Sequence, residues 1–397
     1  MSTITHRKKY LIGATIILAC LTLWWTVSSP KHEVRYTVTD LGVLPGDMAS
    51  YASDINNSGQ IVGISGEPHI ISGVEDGSGF IWSATGGMAK LGDRMSKLRM
   101  SDRGEVVGIV VPKGKEPHTF FWDSSGKVQL LGRFQHFGNR YAPAINSIGQ
   151  VSWTQRKGHG DGASFSALIW NASRGLSELA LDSDNEISTR DMNERGVVVG
   201  RVWNATGEWT AGLWSNEEGL RLISQPSPDT KVIPRRMNNR DQVVGVIKTK
   251  EKRVHAFLWS EGNMTVVENL GREQVGFMDI NEKGQAVGFS TVWAGELKRS
   301  LSEKVRRPLK DLGKIGVTIW NLIQFGITEE EYAIAILWEE GVVVDLNLLI
   351  APNSGWKLYW ATAINDAGQI VGKGYIDGKH RPFLLTPIED ETTNTLH

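Results

Sequence analysis

One nine-residue pattern recurs along most of the chain and constrains its fold more than any other feature. Each copy has an apolar residue, then Asn or Ser, two mostly polar residues, usually Gly, and an apolar run that in most copies ends in Gly. The seven copies are Ile55–Gly63, Met100–Gly108, Ile145–Trp153, Met192–Gly200, Met237–Gly245, Ile280–Gly288 and Ile364–Gly372. Successive copies are 45, 45, 47, 45, 43 and 84 residues apart. A period of about 45 residues is typical of propeller blades.

The pattern itself predicts a tight hairpin turn between two strands. Asn or Ser can bond to its own backbone where the turn begins, and Gly accepts the positive φ that such turns require. A second apolar element, about twenty residues further on, ends in Trp in six repeats: Gly79–Trp82, His118–Trp122, Ala167–Trp170, Ala211–Trp214, His255–Trp259 and Ala335–Trp338. A third element follows it, so each repeat is predicted to contain four strands.

The last repeat ends at Pro387 without a fourth strand, whereas Tyr36–Gly42 matches the fourth-strand pattern and has no first three strands of its own. The two ends are therefore complementary, and we predict an all-β, seven-bladed β-propeller closed by the N-terminal strand over residues 34–387. An open β-solenoid and a ring with an eighth, degenerate blade are the alternative architectures.

Composition excludes several classes of protein. The 397 residues include 43 Lys and Arg against 44 Asp and Glu, so no charge excess favours nucleic acid. The single cysteine, Cys20, cannot form an internal disulfide or a cysteine-rich zinc site. We find no histidine pair with metal-ligand spacing and no Gly-rich phosphate loop before a helix, and we predict no cofactor, no metal site and no catalytic residue.

The first 30 residues have a different character from the repeats. Basic residues at 6–9 precede Leu11–Val27, an uncharged stretch of 17 residues that spans roughly 26 Å as a helix. We predict an N-terminal transmembrane helix with the basic end in the cytoplasm and the propeller outside it, periplasmic or extracellular. A cleaved secretory signal and a lipoprotein with Cys20 as the lipidated residue are the alternatives. Residues 388–397 form a polar tail.

The residues also carry a family resemblance. His255-Ala256-Phe257-Leu258-Trp259, the turn Asn238–Gly245 before it and the strand ending Asn269-Leu270-Gly271 after it resemble the bacterial extracellular HAF-repeat family. The resemblance extends over nearly all of residues 35–387. It implies an exported, propeller-like protein and says little about activity.

Three sets of residues are candidates for function. The six repeat tryptophans share one strand position, which indicates core between blades rather than a sugar-binding row. A matched position just before each turn holds Asp54, Arg99, Ala144, Asp191, Arg236, Asp279 and Ala363. We predict inter-blade ion pairs there, Arg99 with Asp54 and Arg236 with Asp191 and Asp279, because unpaired buried charge is costly.

The predicted ligand-binding residues, on the face where the inner strands begin, are Tyr51, Arg99, Tyr141, Arg190, Arg235, Trp356 and Trp360.

Blade six has an irregular insertion. From the turn marker to the strand-three tryptophan there are 57 residues in this blade and 21 in blades two, four and five. Trp293, Leu297, Leu301 and Val305 form a helical stripe, so we predict a partly helical insertion over about 291–330. Predicted contacts to a partner or membrane are Trp293, Arg299, Arg306, Arg307, Trp320 and Phe325. A lid, a cap on the channel and a degenerate eighth blade are the alternatives.

These observations favour an exported, membrane-tethered propeller that acts as a binding or interaction module for a protein or carbohydrate at the cell envelope. The alternative is a glycoside hydrolase or lyase that acts on cell-surface or extracellular glycans. It would use loop carboxylates, for which Asp47, Asp93, Asp182, Asp184 and Glu186 are the candidates. The fold does not decide between them, because propellers support both.

Overall fold

The computed structural model describes residues 34–67, 77–134, 142–157, 164–179, 186–267, 274–291 and 333–388. Within these ranges the chain forms 28 β-strands and a single 3₁₀ turn at Leu346–Leu348. The strands fall into seven antiparallel four-stranded units, the blades, each counted from its innermost strand outward.

The strand bounds follow the sequence repeats. Blade one contains β2 (Ala49–Ile55), β3 (Ile61–Gly66), β4 (Ser78–Ser83) and β5 (Gly87–Asp93); blade two β6 (Met95–Met100), β7 (Val106–Val110), β8 (His118–Trp122) and β9 (Val128–Arg133); blade three β10 (Ala144–Ile145), β11 (Gln150–Lys157), β12 (Ser164–Asn171) and β13 (Gly175–Glu178); blade four β14 (Glu186–Met192), β15 (Val198–Trp203), β16 (Trp209–Ser215) and β17 (Gly219–Ile223). Blade five contains β18 (Thr230–Met237), β19 (Val243–Thr249), β20 (Val254–Ser260) and β21 (Asn263–Val267); blade six β22 (Gln274–Ile280), β23 (Ala286–Thr291), β24 (Ala333–Glu339) and β25 (Val342–Asp345); blade seven β26 (Lys357–Ile364), β27 (Ile370–Ile376), β28 (Lys379–Pro387) and β1 (Tyr36–Asp40). A single parallel pairing of Val254 with Gln274 joins blades five and six.

The predicted turns form as the side-chain chemistry requires. In blade one the backbone N–H groups of Asn56 and Gly59 donate to the carbonyls of Gln60 and Asn56. The Asn56 Oδ1 atom accepts from the backbone N–H of Gln60 at 2.9 Å, and Gly59 has a φ of +77°. The Asn side chain therefore replaces a backbone acceptor, while Gly adopts the left-handed conformation.

A β-bulge explains the glycine that ends most copies of the pattern. In blade four the register shifts between Thr189 and Asp191, so Arg190 is the extra residue of the inner strand. A Cβ atom on Gly200 would lie 1.9 Å from the Ser188 carbonyl oxygen, so no larger side chain fits opposite the bulge. Blade three has Trp153 at this position, and its inner strand β10 pairs over two residues without a register shift.

The core lies between neighbouring blades, and the repeat tryptophans belong to it as predicted. Trp170, Trp214 and Trp259 are 6–7% exposed, and Trp82, Trp122 and Trp338 pack against separate buried clusters. Trp153 is 1% exposed and packs against Gly132 of blade two. The wide Trp in blade three therefore fills the space between blades two and three.

The first and last repeats meet in space. β1 pairs antiparallel with β28, with Val38 opposite Leu385, and the N–H of Ile388 donates to the Arg35 carbonyl at 2.9 Å. The Asn365 side chain donates to the Asn56 carbonyl at 3.0 Å, which links the turn of blade seven to that of blade one.

A circle of hydrogen bonds, the turn ring, connects all seven turns on this face of the molecule, the turn face. In each turn the backbone N–H of one residue donates to the side chain of its counterpart in the next blade: Asn57 to Asp102, Asp102 to Ser147, Ser147 to Glu194, Glu194 to Asn239, Asn239 to Glu282, Glu282 to Asp366 and Asp366 to Asn57. The opposite face, where the inner strands begin, is the entry face.

The predicted fold class is wrong in three respects. No sheet of the described residues closes on itself, because each blade ends in an outer edge strand. The described ranges contain no α-helix, so a helical insertion is not shown; residues 292–332, between β23 and β24, lie outside them. No described helix is long and apolar enough to cross a membrane. The segment Leu11–Val27 also lies outside the described residues, so no N-terminal anchor is shown, and the predicted membrane localisation, which depended on it, is withdrawn.

Candidate functional site

Four charged side chains meet in the middle of the ring and form what we call the Arg236 cluster. The Arg236 guanidinium lies 3.0 Å from a carboxylate oxygen of Asp54, 3.4 Å from one of Asp191 and 3.5 Å from one of Asp279. These partners belong to blades one, four and six, so one side chain of blade five reaches across the central channel. The predicted pairs of Arg236 with Asp191 and Asp279 are confirmed. The predicted pair of Arg99 with Asp54 is wrong, because Asp54 pairs with Arg236.

Each of these carboxylates also connects two blades through the backbone. The second oxygens of Asp54, Asp191 and Asp279 accept from the N–H groups of Met100, Met237 and Ile364, each in the next blade, at 2.9–3.0 Å. Burial raises the pKa of Asp54, and raises the pKa of Asp279 to about 6, despite the opposing charge of Arg236. Burial likewise raises the pKa of Asp191 well above its ordinary value. Three buried carboxylates share one guanidinium, so this layer favours proton uptake.

The next layer toward the entry face is cationic. Arg190 and Arg235 are the extra residues of the bulges in β14 and β18, and each precedes a member of the Arg236 cluster. A bulge re-aims the side chain of its extra residue, and Arg190 is only 9% exposed. Sequence reasoning did not anticipate these two bulges. Each places a second charged side chain next to the member of the Arg236 cluster that follows it.

Blade two contributes two further cationic residues. Burial, with a contribution from the charge of Arg190, lowers the pKa of Lys97 to about 8, so Lys97 of blade two and Arg190 of blade four interact electrostatically. Arg99 is the penultimate residue of β6, at the position that matches Arg236, and its Nη1 atom is buried without a hydrogen-bond partner among the described residues. We call the group formed by Lys97, Arg99, Arg190 and Arg235, at the level of the Arg236 cluster and just toward the entry face from it, the upper channel.

An aromatic residue and a further lysine lie nearby. The Nζ atom of Lys373, on β27, is 4.5 Å from the ring centre of Tyr51, on β2. Burial raises the pKa of Tyr51 to about 12, so this phenol is neutral at physiological pH. Tyr51 and Lys373 therefore form a cation–π contact between blades one and seven.

The predicted ligand-binding residues do not all have the same surroundings in the structure. Trp360 stacks on Phe289, with ring centres 3.8 Å apart. Trp356 packs edge-on against Phe383 at 6.4 Å and covers Gly374. Both tryptophans therefore take part in packing, whereas Arg99, Arg190 and Arg235 face the channel region. Tyr141 and the insertion residues Trp293, Arg299, Arg306, Arg307, Trp320 and Phe325 lie outside the described residues.

Sequence reasoning missed several residues at this face, among them Lys97, Lys373 and Arg201. Lys97 lies two residues before Arg99 at a position with a positive φ of 54°, and no repeat pattern identifies it. Among the described residues, no three His, Cys, Asp or Glu side chains are arranged to hold a metal ion. The described site presents cationic side chains, carboxylates and one phenol.

Comparison with known proteins supports the fold alone. No family model matches the chain, and no curated protein matches it in sequence. Among solved structures the chain is similar to streptogramin B lyase, with a TM-score of 0.52 and 8% identity over 90% of this chain and 100% of that one. It is also similar to the β-propeller domain of the Trilobed protease from Pyrococcus furiosus, with a TM-score of 0.51 and 9% identity over 88% and 98% of the two chains. Acylaminoacyl peptidase from Pyrococcus horikoshii matches with a TM-score of 0.51 and 10% identity, over 87% of this chain and 53% of that one. The chain has an all-β, propeller-like fold.

Proposed function

We propose that this chain is a binding module whose upper channel takes an anionic group of its ligand. The observation that carries the proposal is the accumulation of four cationic side chains on the inner strands: Arg99 at the level of the Arg236 cluster, and Lys97, Arg190 and Arg235 just toward the entry face from it. Channels lined by one sign of charge and enclosed by apolar walls concentrate the electrostatic potential.

The electrostatics of the layer support this assignment. Arg190 contributes to the lowered pKa of Lys97, so the two cations repel each other. An anion bound close to both would accept charge-assisted hydrogen bonds from them. The buried Nη1 atom of Arg99 is a further donor, without a hydrogen-bond partner among the described residues.

The Arg236 cluster would define the lower end of the site. Because the guanidinium contacts carboxylates from three other blades, it obstructs the channel at that level. A ligand would therefore approach from the entry face and present its charge to the upper channel.

The test is a calorimetric titration of the purified chain with galacturonic acid and with a galacturonate tetrasaccharide at low ionic strength. We expect the double variant Arg99→Gln, Arg190→Gln to bind the tetrasaccharide at least tenfold more weakly than the wild type. The matched control is Arg133→Gln, which removes a guanidinium that is 64% exposed in the outer strand β9, and it should leave the affinity unchanged. The proposal is overturned if the wild type binds neither probe, or if the double variant and the control behave alike.

The alternative as a glycan hydrolase or lyase gains no specific support. Asp93 pairs with Lys90 on the outer strand of blade one at 2.6 Å, whereas Glu186, the first residue of blade four, accepts from the N–H of Phe165 in blade three. These two carboxylates belong to different blades, and Asp182 and Asp184 lie outside the described residues. Membership of the HAF-repeat family remains a proposal that rests on the sequence pattern.

A further inference from the structure

We infer that the ligand is an acidic oligosaccharide, with one charged unit in the upper channel and a neighbouring unit in a cleft between blades four and five. This inference rests on the proposed function and names the class of ligand. It depends on a second set of residues, the Trp209 cleft, defined by Trp209, Lys231, Gln225, Asn204 and Thr210.

The cleft is a formed cavity on the entry face. It has a volume of about 470 Å³ and lies between the loop that joins β15 to β16 and the segment that leads into β18. The guanidinium carbon of Arg201 lies 4.1 Å from the centre of the Trp209 ring, and the Nζ atom of Lys231 lies 5.6 Å from it. The cleft thus combines an aromatic ring, held by the buried Arg201, with one cation, Lys231, and with amide and hydroxyl groups.

The cleft and the upper channel are connected along blade four. Arg201 pairs with Ser188, two residues before Arg190, and Ala211, two residues after Trp209, pairs with Arg201. With strands about 4.8 Å apart and a rise of about 3.3 Å per residue, each of these diagonal steps is about 8 Å between Cα atoms. Arg190, Arg201 and Trp209 therefore form a radial series of strand positions, with roughly 16 Å between the Cα atoms of Arg190 and Trp209, which is the distance that a ligand occupying both the upper channel and the cleft would span.

The composition of this series favours a saccharide over an acidic peptide. Peptides commonly bind sheets by adding a strand to a free edge, whereas β15 and β16 are paired on both sides. The cleft offers side chains only: a flat aromatic surface for a ring and polar groups for hydroxyls, the combination found in small-molecule sites. One cation, Lys231, and one carboxylate, Glu208, line the cleft, so its lining suits the neutral hydroxyl groups of a saccharide unit, while the charge of the ligand is assigned to the upper channel.

The experiment separates the two parts of the site by ligand length. Trp209→Ala should raise the Kd for a galacturonate tetrasaccharide about tenfold and leave the Kd for galacturonic acid within about twofold. Arg190→Gln should weaken both probes. Trp209→Phe, which keeps an aromatic ring, should restore most of the tetrasaccharide affinity, and Tyr375→Ala, which removes an aromatic side chain from a residue 40% exposed on blade seven, is the matched control. Unfolding midpoints of all variants would report on folding.

Each result has a distinct meaning. If Arg190→Gln weakens both probes and Trp209→Ala changes neither, the proposed function stands and the inference about the cleft is wrong. If Arg190→Gln has no effect on either probe, the proposed function itself fails. Tighter binding of a glutamate tetrapeptide than of the galacturonate tetrasaccharide would overturn the assignment of the ligand as a saccharide.

Discussion

Replacement of Arg236 by Met should destabilise the protein strongly at neutral pH and much less under mildly acidic conditions. The substitution removes the guanidinium that lies within 3.5 Å of Asp54, Asp191 and Asp279 and leaves three buried carboxylates without it. Removing one partner of a buried ion pair typically costs about 3–5 kcal/mol. We expect a loss near 5 kcal/mol at pH 7, because one side chain serves three partners.

The pH dependence follows from the carboxylates. A carboxyl whose pKa is raised on folding binds more protons in the folded state, so its contribution to stability increases as the pH falls. The cost of keeping one such carboxyl protonated is about 1.4 kcal/mol for each pH unit above the ordinary Asp pKa. It is therefore about 4 kcal/mol at pH 7 and about 1.5 kcal/mol at pH 5. The variant should therefore gain about 3 kcal/mol of stability between pH 7 and pH 5. The wild type gains less, about 1 kcal/mol from Asp279, whose pKa is already raised to about 6, so the difference between the two proteins should narrow.

Urea unfolding at pH 7, 6 and 5, followed by tryptophan fluorescence, measures both effects. The matched control is Arg133→Met, since Arg133 pairs with Glu116 at 3.3 Å on the surface and such pairs contribute at most about 1 kcal/mol. The reasoning is refuted if Arg236→Met is as stable as the control at pH 7, or if its loss of stability is the same at all three pH values.

Three further predictions concern the ring, the bulge and the upper channel. Asn365→Ala removes the donor to the Asn56 carbonyl and to Gln369 and should cost about 3 kcal/mol, because buried groups lose their partners; unchanged urea unfolding would contradict this. Gly200→Ala places a Cβ atom 1.9 Å from the Ser188 carbonyl oxygen and should cost about 3 kcal/mol, whereas the exposed Gly86→Ala should cost less than about 0.5 kcal/mol in the same assay. Since Lys97, with a pKa of about 8, loses its charge as the pH rises, calorimetry should show the affinity for galacturonate tetrasaccharide falling from pH 7 to pH 9, and Lys97→Met should remove most of that dependence.

The sequence predicted the elements of this fold better than their connections across the channel. Turn chemistry and the spacing of Trp82, Trp122 and their counterparts are local or periodic, so they are visible in one chain without its structure. The pairing of Asp54 with Arg236 is neither, because it joins blades one and five. We predicted a pair between Asp54 and Arg99 because their blades are neighbours in sequence. The Arg236 side chain is long enough, and the channel narrow enough, for Arg236 to reach Asp54 as well as its two predicted partners.

The candidate site was predictable to a similar degree. Arg99, Arg190 and Arg235 were identified because the inner strands must begin on one face. The placement of Arg190 and Arg235 depends on bulges, which add a residue without any marker in the apolar alternation. The glycine opposite each bulge, such as Gly200, is the signal that would have revealed them. Trp356 and Trp360 were assigned to ligand binding, but the structure uses both in packing, since aromatic residues at a strand start fit either environment.

The pairing of β1 with β28 has a consequence for biosynthesis. Thr37 and its partner Thr386 are 349 residues apart in the chain. At about 5–20 residues per second, β1 is made roughly 20–70 s before its partner exists. During that interval it is an unpaired strand, the kind of segment that associates wrongly with other chains. Its sequence, Tyr-Thr-Val-Thr-Asp, is short, contains two threonines and ends in a carboxylate, which limits that risk until the last blade emerges from the ribosome.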